Sequence, residues 1–167
     1  MTFADTVAGL GARALQTRRL VRAPIAIYRA GLGFVFGSRM LMLEHIGRTS
    51  GARRYVVLEV VDRPGPGELV IVSGFGARSQ WYRNIEAEPS VRVWVGWRRG
   101  VPARAVAMDD AESAAALARY QRAHPAAWKN LRAMIERATG APVDTLPMVR
   151  LRLCRPPTRA GNAAPPR

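Results

Sequence analysis

Residues 41–89 read LMLEHIGRTSGARRYVVLEVVDRPGPGELVIVSGFGARSQWYRNIEAEP, and this stretch decides the fold. It holds three apolar runs, and a glycine-containing turn closes each of them. Short runs rich in Val, Ile and Leu between Gly and Pro turns are typical of antiparallel strands. The turns are Gly47–Gly51, Gly65–Gly67 and Ser73–Gly76. The stretch therefore predicts a sheet whose strands are joined by tight connections.

The rest of the chain extends this pattern to six strands and several helices. Many short strands separated by Gly and Pro turns favour an antiparallel barrel. Asp109 is a suitable N-cap for one helix, and Gly140 is a suitable stop for another. The predicted strands are Met40–Ile46, Tyr55–Val61, Leu69–Ser73, Val91–Trp97, Pro102–Met108 and Leu146–Cys154, and the predicted helices are Ser79–Ala87, Ala111–Arg122 and Ala126–Thr139.

Three segments differ in composition and predict the domain organisation. Residues 1–37 form a basic amphipathic segment, residues 38–154 form the barrel, and residues 155–167 are predicted to be a disordered tail. In the first segment a helix capped by Thr2 or Asp5 is expected to run to about Arg22, where Pro24 predicts a break. A basic amphipathic helix can lie on an anionic membrane. The alternative is a helix that packs on the barrel.

The charge of the chain predicts anionic partners. Its 26 basic and 12 acidic residues give a net charge of +14, and Lys129 is the only lysine. Such a field attracts a phosphorylated coenzyme, an acidic membrane surface or nucleic acid. No helix-turn-helix, zinc finger or stacking-aromatic RNA motif occurs, so nucleic acid is not the expected partner. The lone Cys154 forms no internal disulfide, and no signal peptide or membrane-spanning run is found, which predicts a cytoplasmic protein.

Two turns carry the chemistry expected of a phosphate site. Glycines let backbone N–H groups approach an anion, and consecutive N–H groups in a turn can form an anion nest. Hydroxyls and guanidinium groups add charge-assisted donors. The alternative for the first turn is a tight hairpin with solvated arginines. The second turn, followed by Trp81 and Tyr82, favours the ligand site. The phosphate donors predicted at the first turn are Arg48, Thr49, Ser50, Arg53 and Arg54.

These motifs resemble the deazaflavin (coenzyme F420)-dependent nitroreductase family of the flavin-binding split β-barrel superfamily. The resemblance covers about residues 38–108 and continues more weakly to about Leu153. Where the family often has a lysine after the serine of the third strand, this chain has Gly74. The motifs are Gly47-Arg48-Thr49-Ser50-Gly51, the strand end Ser73-Gly74, Trp81-Tyr82-x-Asn84-Ile85, and Glu88-Pro89-x-Val91-x-Val93.

The resemblance implies an α+β fold, a six-stranded antiparallel split β-barrel with flanking helices and an N-terminal amphipathic helix. It implies coenzyme F420 as the cofactor, with FMN as the alternative, because both carry a phosphate. Tyr82, beside Trp81 at the expected pocket, is the predicted catalytic residue. The implied cofactor-binding residues are Gly47, Arg48, Thr49, Ser50, Gly51, Arg53, Arg54, Ser73, Gly74, Phe75, Gly76, Trp81 and Tyr82.

The implied function is hydride transfer from the reduced coenzyme to a quinone, enone or nitro-type acceptor. The alternative is a non-catalytic split barrel that carries or senses a flavin, haem or lipid. The expected partners are the anionic coenzyme and an apolar acceptor, with peripheral membrane contact through residues 1–37 and a homodimer as further possibilities. No metal site is predicted, because His45 and His124 do not have ligand spacing.

Overall fold

Six strands form a closed antiparallel barrel in the order β1-β2-β3-β6-β5-β4. The structure is a computed structural model that describes residues 18–140, 142–143 and 145–154. All strand pairs within these residues are antiparallel, which confirms the barrel predicted from the sequence. The strands are β1 Met40–Ile46, β2 Arg53–Asp62, β3 Glu68–Val72, β4 Ser90–Val95, β5 Arg98–Ala107 and β6 Met148–Leu153.

Two apolar clusters hold the barrel and its helices together. Inward side chains of the strands fill the barrel, among them Leu43, Ile71 and Val93, which are fully buried. β4 shows the expected alternation, because its buried valines alternate with the more accessible Ser90, Arg92 and Trp94. A second cluster joins the outer faces of β3 and β6 to two helices near the C-terminal half. Each face of the sheet is thus covered where its residues are apolar.

Within the described residues four helices flank the barrel, and the three predicted from the sequence are confirmed within a few residues. The predicted cap is present, since Glu112 N–H donates to Asp109 Oδ1 at 2.7 Å and the Glu112 carboxylate accepts from Asp109 N–H. Gly140 ends the last helix with φ of 69°, a left-handed conformation that favours glycine. The helices are α1 Arg18–Arg29, α2 Gln80–Ala87, α3 Asp110–Ala123 and α4 Pro125–Thr139.

The break predicted at Pro24 is wrong, because α1 continues through this residue to Arg29. A proline in a helix interior removes one backbone hydrogen bond. Contacts made beyond the proline compensate for that loss: Tyr28 is 1% exposed, its hydroxyl donates to Met40 O at 2.8 Å, and α1 packs on β2. Local propensity therefore gives way to tertiary packing in this helix.

The barrel is split along one edge of β2. Only the end of β2 pairs with β3, through Val60 opposite Ile71 and Asp62 opposite Val70. Residues 53–59 of β2 pair with β1 alone. This part of the strand therefore borders an opening in the barrel wall, and the opening leads into a cavity.

The outer parts of the predicted domain organisation lie beyond the structure. The predicted caps at Thr2 and Asp5 and the tail at residues 155–167 fall outside the described residues, so these assignments stay predictions. Cys154, predicted to end the last strand, is exposed just after β6. Among the described residues, no helix is both long and apolar enough to cross a bilayer.

Candidate functional site

A cavity of about 890 Å³ lies at the split in the barrel. Its polar walls come from the end of β1, the turn that joins β1 to β2 and the start of α2. The other walls come from the half of β2 that pairs only with β1, the turn after β3 and one face of α4. Its volume is within the range of pockets that bind small molecules and cofactors. The strand order explains this convergence, because β1 lies beside β2 and α2 packs on β1.

Eight of the thirteen predicted cofactor-binding residues line this cavity, and five do not. Both predicted turns contribute, so turns that are 22 residues apart in sequence share one site. The lining residues are Gly47, Arg48, Thr49, Ser50, Arg54, Gly74, Phe75 and Trp81, and the residues away from the lining are Gly51, Arg53, Ser73, Gly76 and Tyr82.

The backbone N–H groups of the first turn are the donors of the predicted anion nest. Those of Ser50 and Gly51 donate to Gly47 O, at 3.1 and 2.7 Å. Arg48 N–H donates to Asn84 Oδ1, and Ala52 N–H donates to Ser50 Oγ. These four donors have partners within the protein, because the turn closes on itself and on α2. This arrangement does not support the predicted nest, which stays a prediction.

Side chains supply the positive end of the cavity. A Cβ added at Gly47 would lie 2.8 Å from Ser50 Oγ and 3.6 Å from Arg54 Nε, so the absent side chain leaves space between a hydroxyl and a guanidinium. Arg54 forms no ion pair with any acid among the described residues. Arg53, in contrast, is turned towards Glu44, with Nε 3.8 Å from Oε1. Arg54 is therefore the available cation of the pair.

Asn84, a buried residue of α2, holds polar side chains of the cavity wall in position through hydrogen bonds. It is 6% exposed, and its Oδ1 accepts from the backbone N–H and from Nη1 of Arg48, each at 3.1 Å. Arg48 Nη1 also donates to Gln80 Oε1 at 2.9 Å. Two neutral acceptors on α2 thus hold one edge of the Arg48 guanidinium. Its remaining N–H groups stay available for an anion.

His45 completes this network as a neutral acceptor. Because Asn84 Oδ1 already accepts from Arg48, the Asn84 amide nitrogen faces His45 Nδ1, at 3.1 Å. Nδ1 must then be unprotonated, which puts the ring proton on Nε2. Burial lowers the pKa of His45 to about 4, with Arg54 acting in the same direction and a hydrogen bond to the Ile46 backbone opposing. His45 is consequently uncharged at neutral pH.

The second turn has a structural centre in Ser73. Its side chain is fully buried, and its Oγ donates to Gly76 O at 2.8 Å and lies 2.9 Å from Ser79 Oγ. The next residue, Gly74, packs against α4, because an added Cβ would lie 3.3 Å from Ile135 Cγ1. Ser73 thus shapes the turn from inside, while Gly74 and Phe75 face the cavity.

Tyr82, the predicted catalytic residue, is placed in the barrel core. It is 6% exposed and meets Trp81 edge to face, with ring centroids 5.8 Å apart. Burial, with Glu86 and Asp110 contributing, raises the pKa of Tyr82. Trp81 lines the cavity and Tyr82 lies behind it. The geometry therefore gives the catalytic role of Tyr82 no support.

The sequence analysis missed the apolar wall of the cavity. Leu131, Met134 and Ile135 of α4 line it, together with the half of β2 that pairs only with β1. Their i, i+3, i+4 spacing is the signal of an apolar helix face and could have indicated a buried stripe. Nothing in the sequence indicated that the stripe faces residues about 60 to 80 positions earlier. Tyr55, which also lines the cavity, has its pKa raised, first by a hydrogen bond to Glu44 and then by burial.

The family model described as F420H(2)-dependent quinone reductase matches residues 20–145. The chain belongs to this family. Membership makes the protein an oxidoreductase that uses coenzyme F420, as the sequence resemblance implied. A comparison with curated proteins finds no significant match.

Solved structures share the fold at low sequence identity. One described as a domain-swapped dimer has 20% identity and a TM-score of 0.53, covering 77% of this chain and 92% of that one. The haem storage protein HutZ from Vibrio cholerae has 12% identity and a TM-score of 0.52, covering 74% and 87%. An F420-H2 dependent reductase, FDR-A, has 22% identity and a TM-score of 0.48, covering 68% and 94%. At these identities the first two likenesses show the fold alone.

The residues present fit an anionic coenzyme with a planar ring. One end of the cavity offers the unpaired cation Arg54, the partly free Arg48 and the hydroxyls of Thr49 and Ser50. The rest is largely apolar, with aromatic and aliphatic side chains such as Trp81. A charged end joined to an apolar interior matches a ligand that carries a phosphate on an aromatic system.

Proposed function

We propose that the protein reduces an apolar electrophilic acceptor, of quinone, enone or nitro type, with coenzyme F420 held in the cavity at the split of the barrel. The observation that carries the proposal is the union of two unlike surfaces in one cavity. The Gly47–Ser50 turn and Arg54 form a polar, positive end, and the α4 face forms an apolar wall. Bound in its reduced form, the coenzyme supplies a hydride.

The positive end binds the coenzyme phosphate through side chains. Arg54 and the free N–H groups of Arg48 donate charge-assisted hydrogen bonds, and the hydroxyls of Thr49 and Ser50 add neutral ones. Asn84 and Gln80 hold Arg48 in place before the anion arrives, which reduces the entropy lost on binding. Gly47 leaves room for the anion between Ser50 and Arg54.

The apolar wall binds the acceptor and excludes water. Met134 and its neighbours on α4 offer no hydrogen bond, so they favour a hydrocarbon surface over a polar substrate. Excluding water from the reacting centre strengthens every remaining electrostatic contact. The chain thus contributes orientation and desolvation, and the acceptor is chosen by shape and apolarity.

The proton needed by the reduced acceptor is assigned to water rather than to a tyrosine. The hydroxyl of Tyr28 donates to Met40 O, and that of Tyr120 donates to Glu59 Oε1. The Glu44 carboxylate and then burial raise the pKa of Tyr55, which makes its hydroxyl a weaker proton donor. Tyr82 lies behind Trp81. Tyr82→Phe tests the sequence prediction that Tyr82 is the catalytic residue. Turnover close to that of the unaltered protein supports a proton from solvent, whereas a loss of about a hundredfold would identify Tyr82 as the donor.

Fluorescence titration with F420 and, in parallel, with FMN tests the coenzyme site. We expect tighter binding of F420, and we expect Arg54→Gln to weaken it by about tenfold or more, the value of a charge-assisted hydrogen bond. Arg122→Gln, on the exposed end of α3, removes the same charge away from the cavity and is the matched control. Equal losses in both variants would contradict the placement of the phosphate.

Steady-state oxidation of the reduced coenzyme, with quinones, enones and nitroaromatic compounds in turn, tests the reaction. Turnover with one acceptor class identifies it. Tight binding without turnover for any acceptor would favour the alternative of a non-catalytic carrier. Light scattering on the same preparation tests the predicted homodimer.

A further inference from the structure

An exposed apolar surface of the described residues lies outside the cavity. Trp97 is 82% exposed at the tip of the β4–β5 hairpin, and the ring of Phe34 stacks on it with centroids 4.5 Å apart and planes 5° from parallel. Leu32 and Val35, in the same turn as Phe34, are 48% and 67% exposed. We call these four side chains the aromatic patch. Phe75, which is 53% exposed, borders the cavity and is not part of the aromatic patch.

The aromatic patch is held in place from below. Its 3₁₀ turn, Gly33–Phe36, contacts β1 and β4. A Cβ added at Gly33 would lie 2.3 Å from Tyr28 Cδ1, so the turn backbone rests directly on the buried Tyr28 ring. These contacts hold the backbone of the turn in place, so the apolar side chains are already exposed before binding.

Arginines surround the aromatic patch on two sides. The Arg99 guanidinium lies against Gly31, because a Cβ added there would be 2.9 Å from Arg99 Nη1. On the other side Arg63 and Arg98 share a groove with Trp97. None of these three arginines forms an ion pair with an acid of the described residues. Burial and then the Arg98 charge lower the pKa of Arg63, as expected for adjacent like charges.

We propose that the aromatic patch and its arginines dock on the surface of an anionic lipid bilayer. Exposed Trp and Phe side chains partition into the headgroup and acyl boundary, while surrounding arginines attract acidic headgroups. The apolar acceptor proposed above would be most concentrated in such a bilayer. Docking on the bilayer does not depend on the identity of that acceptor.

Two other occupants fit the aromatic patch less well. A second copy placed on it by two-fold symmetry would bring Arg63, Arg98 and Arg99 against their own counterparts, which is repulsive. Nucleic acid would match the arginines but has no apolar phase for the exposed aliphatic side chains of Leu32 and Val35.

Vesicle flotation of the full chain tests the proposal, with phosphatidylcholine alone and with phosphatidylglycerol added. We expect binding only when phosphatidylglycerol is present, decreasing as salt is raised. Trp97→Ala should weaken the partition coefficient about tenfold, because it removes one large inserting side chain. Arg98→Gln with Arg99→Gln should weaken it about thirtyfold, from about 1 kcal/mol for each arginine near an anionic surface.

Arg104→Gln with Arg122→Gln removes the same charge elsewhere and should leave the partition coefficient within about threefold. The proposal is overturned if the unaltered protein does not bind these vesicles, or if the Trp97 and Arg98/Arg99 variants bind as well as the control. It is also overturned if the aromatic patch mediates lipid-free dimerisation, seen as a dimer that Trp97→Ala dissociates. Unchanged F420 affinity and circular dichroism in Trp97→Ala show that a loss of lipid binding is not a loss of fold.

Discussion

Asn84 connects three parts of the site through one side chain. Its oxygen accepts two hydrogen bonds from Arg48, and its nitrogen faces the buried His45 ring. Asn84→Ala leaves His45 Nδ1 buried without a donor. It also removes the Asn84 hydrogen bond from the Arg48 guanidinium, which keeps its bond to Gln80. We expect a loss of about 1–3 kcal/mol in the free energy of unfolding, the usual result of leaving a buried polar atom unpaired. Urea denaturation measures that loss.

The same variant should bind F420 several-fold less tightly, since Arg48 loses two of the contacts that orient it. Asn130→Ala, on the exposed side of α4, is the matched control and should change neither quantity. If Asn84→Ala unfolds at the same urea concentration as the control, the hydrogen bonds to Arg48 and His45 do not stabilise the fold.

His45 makes stability depend on pH in a defined direction. Its pKa is about 4 in the folded protein against 6.5 for the ordinary side chain, chiefly because burial disfavours the charged ring. Between these values the unfolded chain binds the proton and the folded one does not, so stability falls as pH decreases from 6.5 towards 4. We expect His45 to account for about 2 kcal/mol of the stability lost between pH 7 and pH 5.

Urea denaturation at the two pH values checks this prediction in His45→Gln and His124→Gln. The first variant removes the titrating group and should lose about 2 kcal/mol less stability on acidification than the second. His124 is exposed between α3 and α4 and serves as the control. Equal losses in the two variants would mean that folding does not lower the pKa of His45.

The hairpin of α3 and α4 supports the apolar wall, and its first turn depends on Asp109. Asp109→Ala removes the capping bond to Glu112 N–H, and we expect it to cost about 1 kcal/mol of stability. Asp110→Ala alters the adjacent acidic residue, which caps nothing, and should cost less than about 0.5 kcal/mol. Thermal unfolding compares the two. Similar midpoints would show that the capping box does not stabilise α3.

Most elements could be predicted because their signals are local. Strand alternation in β4, the cap at Asp109 and the stop at Gly140 each depend on neighbouring residues. The continuation of α1 through Pro24 could not be predicted, because Tyr28 compensates through a contact with β1. The split in the barrel could not be predicted either, because the sequence of β2 shows that the strand is apolar but does not show which strands pair with it.

The site, too, could be predicted where its signals are local and not where it depends on tertiary contacts. The two glycine-containing turns were predicted to share a site because both follow strand ends, and both line the cavity. The structure does not support the anion nest, because several N–H groups of the turn have partners, Asn84 among them, that were not evident from the turn itself. The α4 wall depends on helix packing far along the chain, which no motif near the turns records.

At the scale of the whole molecule, two groups of arginines lie on different surfaces. One set, around Arg54, lies at the positive end of the cavity, and another set surrounds Trp97 at the hairpin. Both act within a field set by a net charge of +14. Such a field draws anions from a distance, and short-range donors then select among them.

The response of coenzyme affinity to salt should therefore distinguish F420 from FMN. Both offer one phosphate to the turn, but F420 also carries an oligoglutamate tail that extends the negative charge beyond the cavity. The Debye length falls from about 30 Å at 0.01 M salt to about 3 Å at 1 M, which screens the tail more than the enclosed phosphate. Fluorescence titrations across this range should show a steeper loss of affinity for F420. Parallel losses would mean that the arginines outside the cavity do not bind the tail, and that selectivity between the two coenzymes comes from the ring.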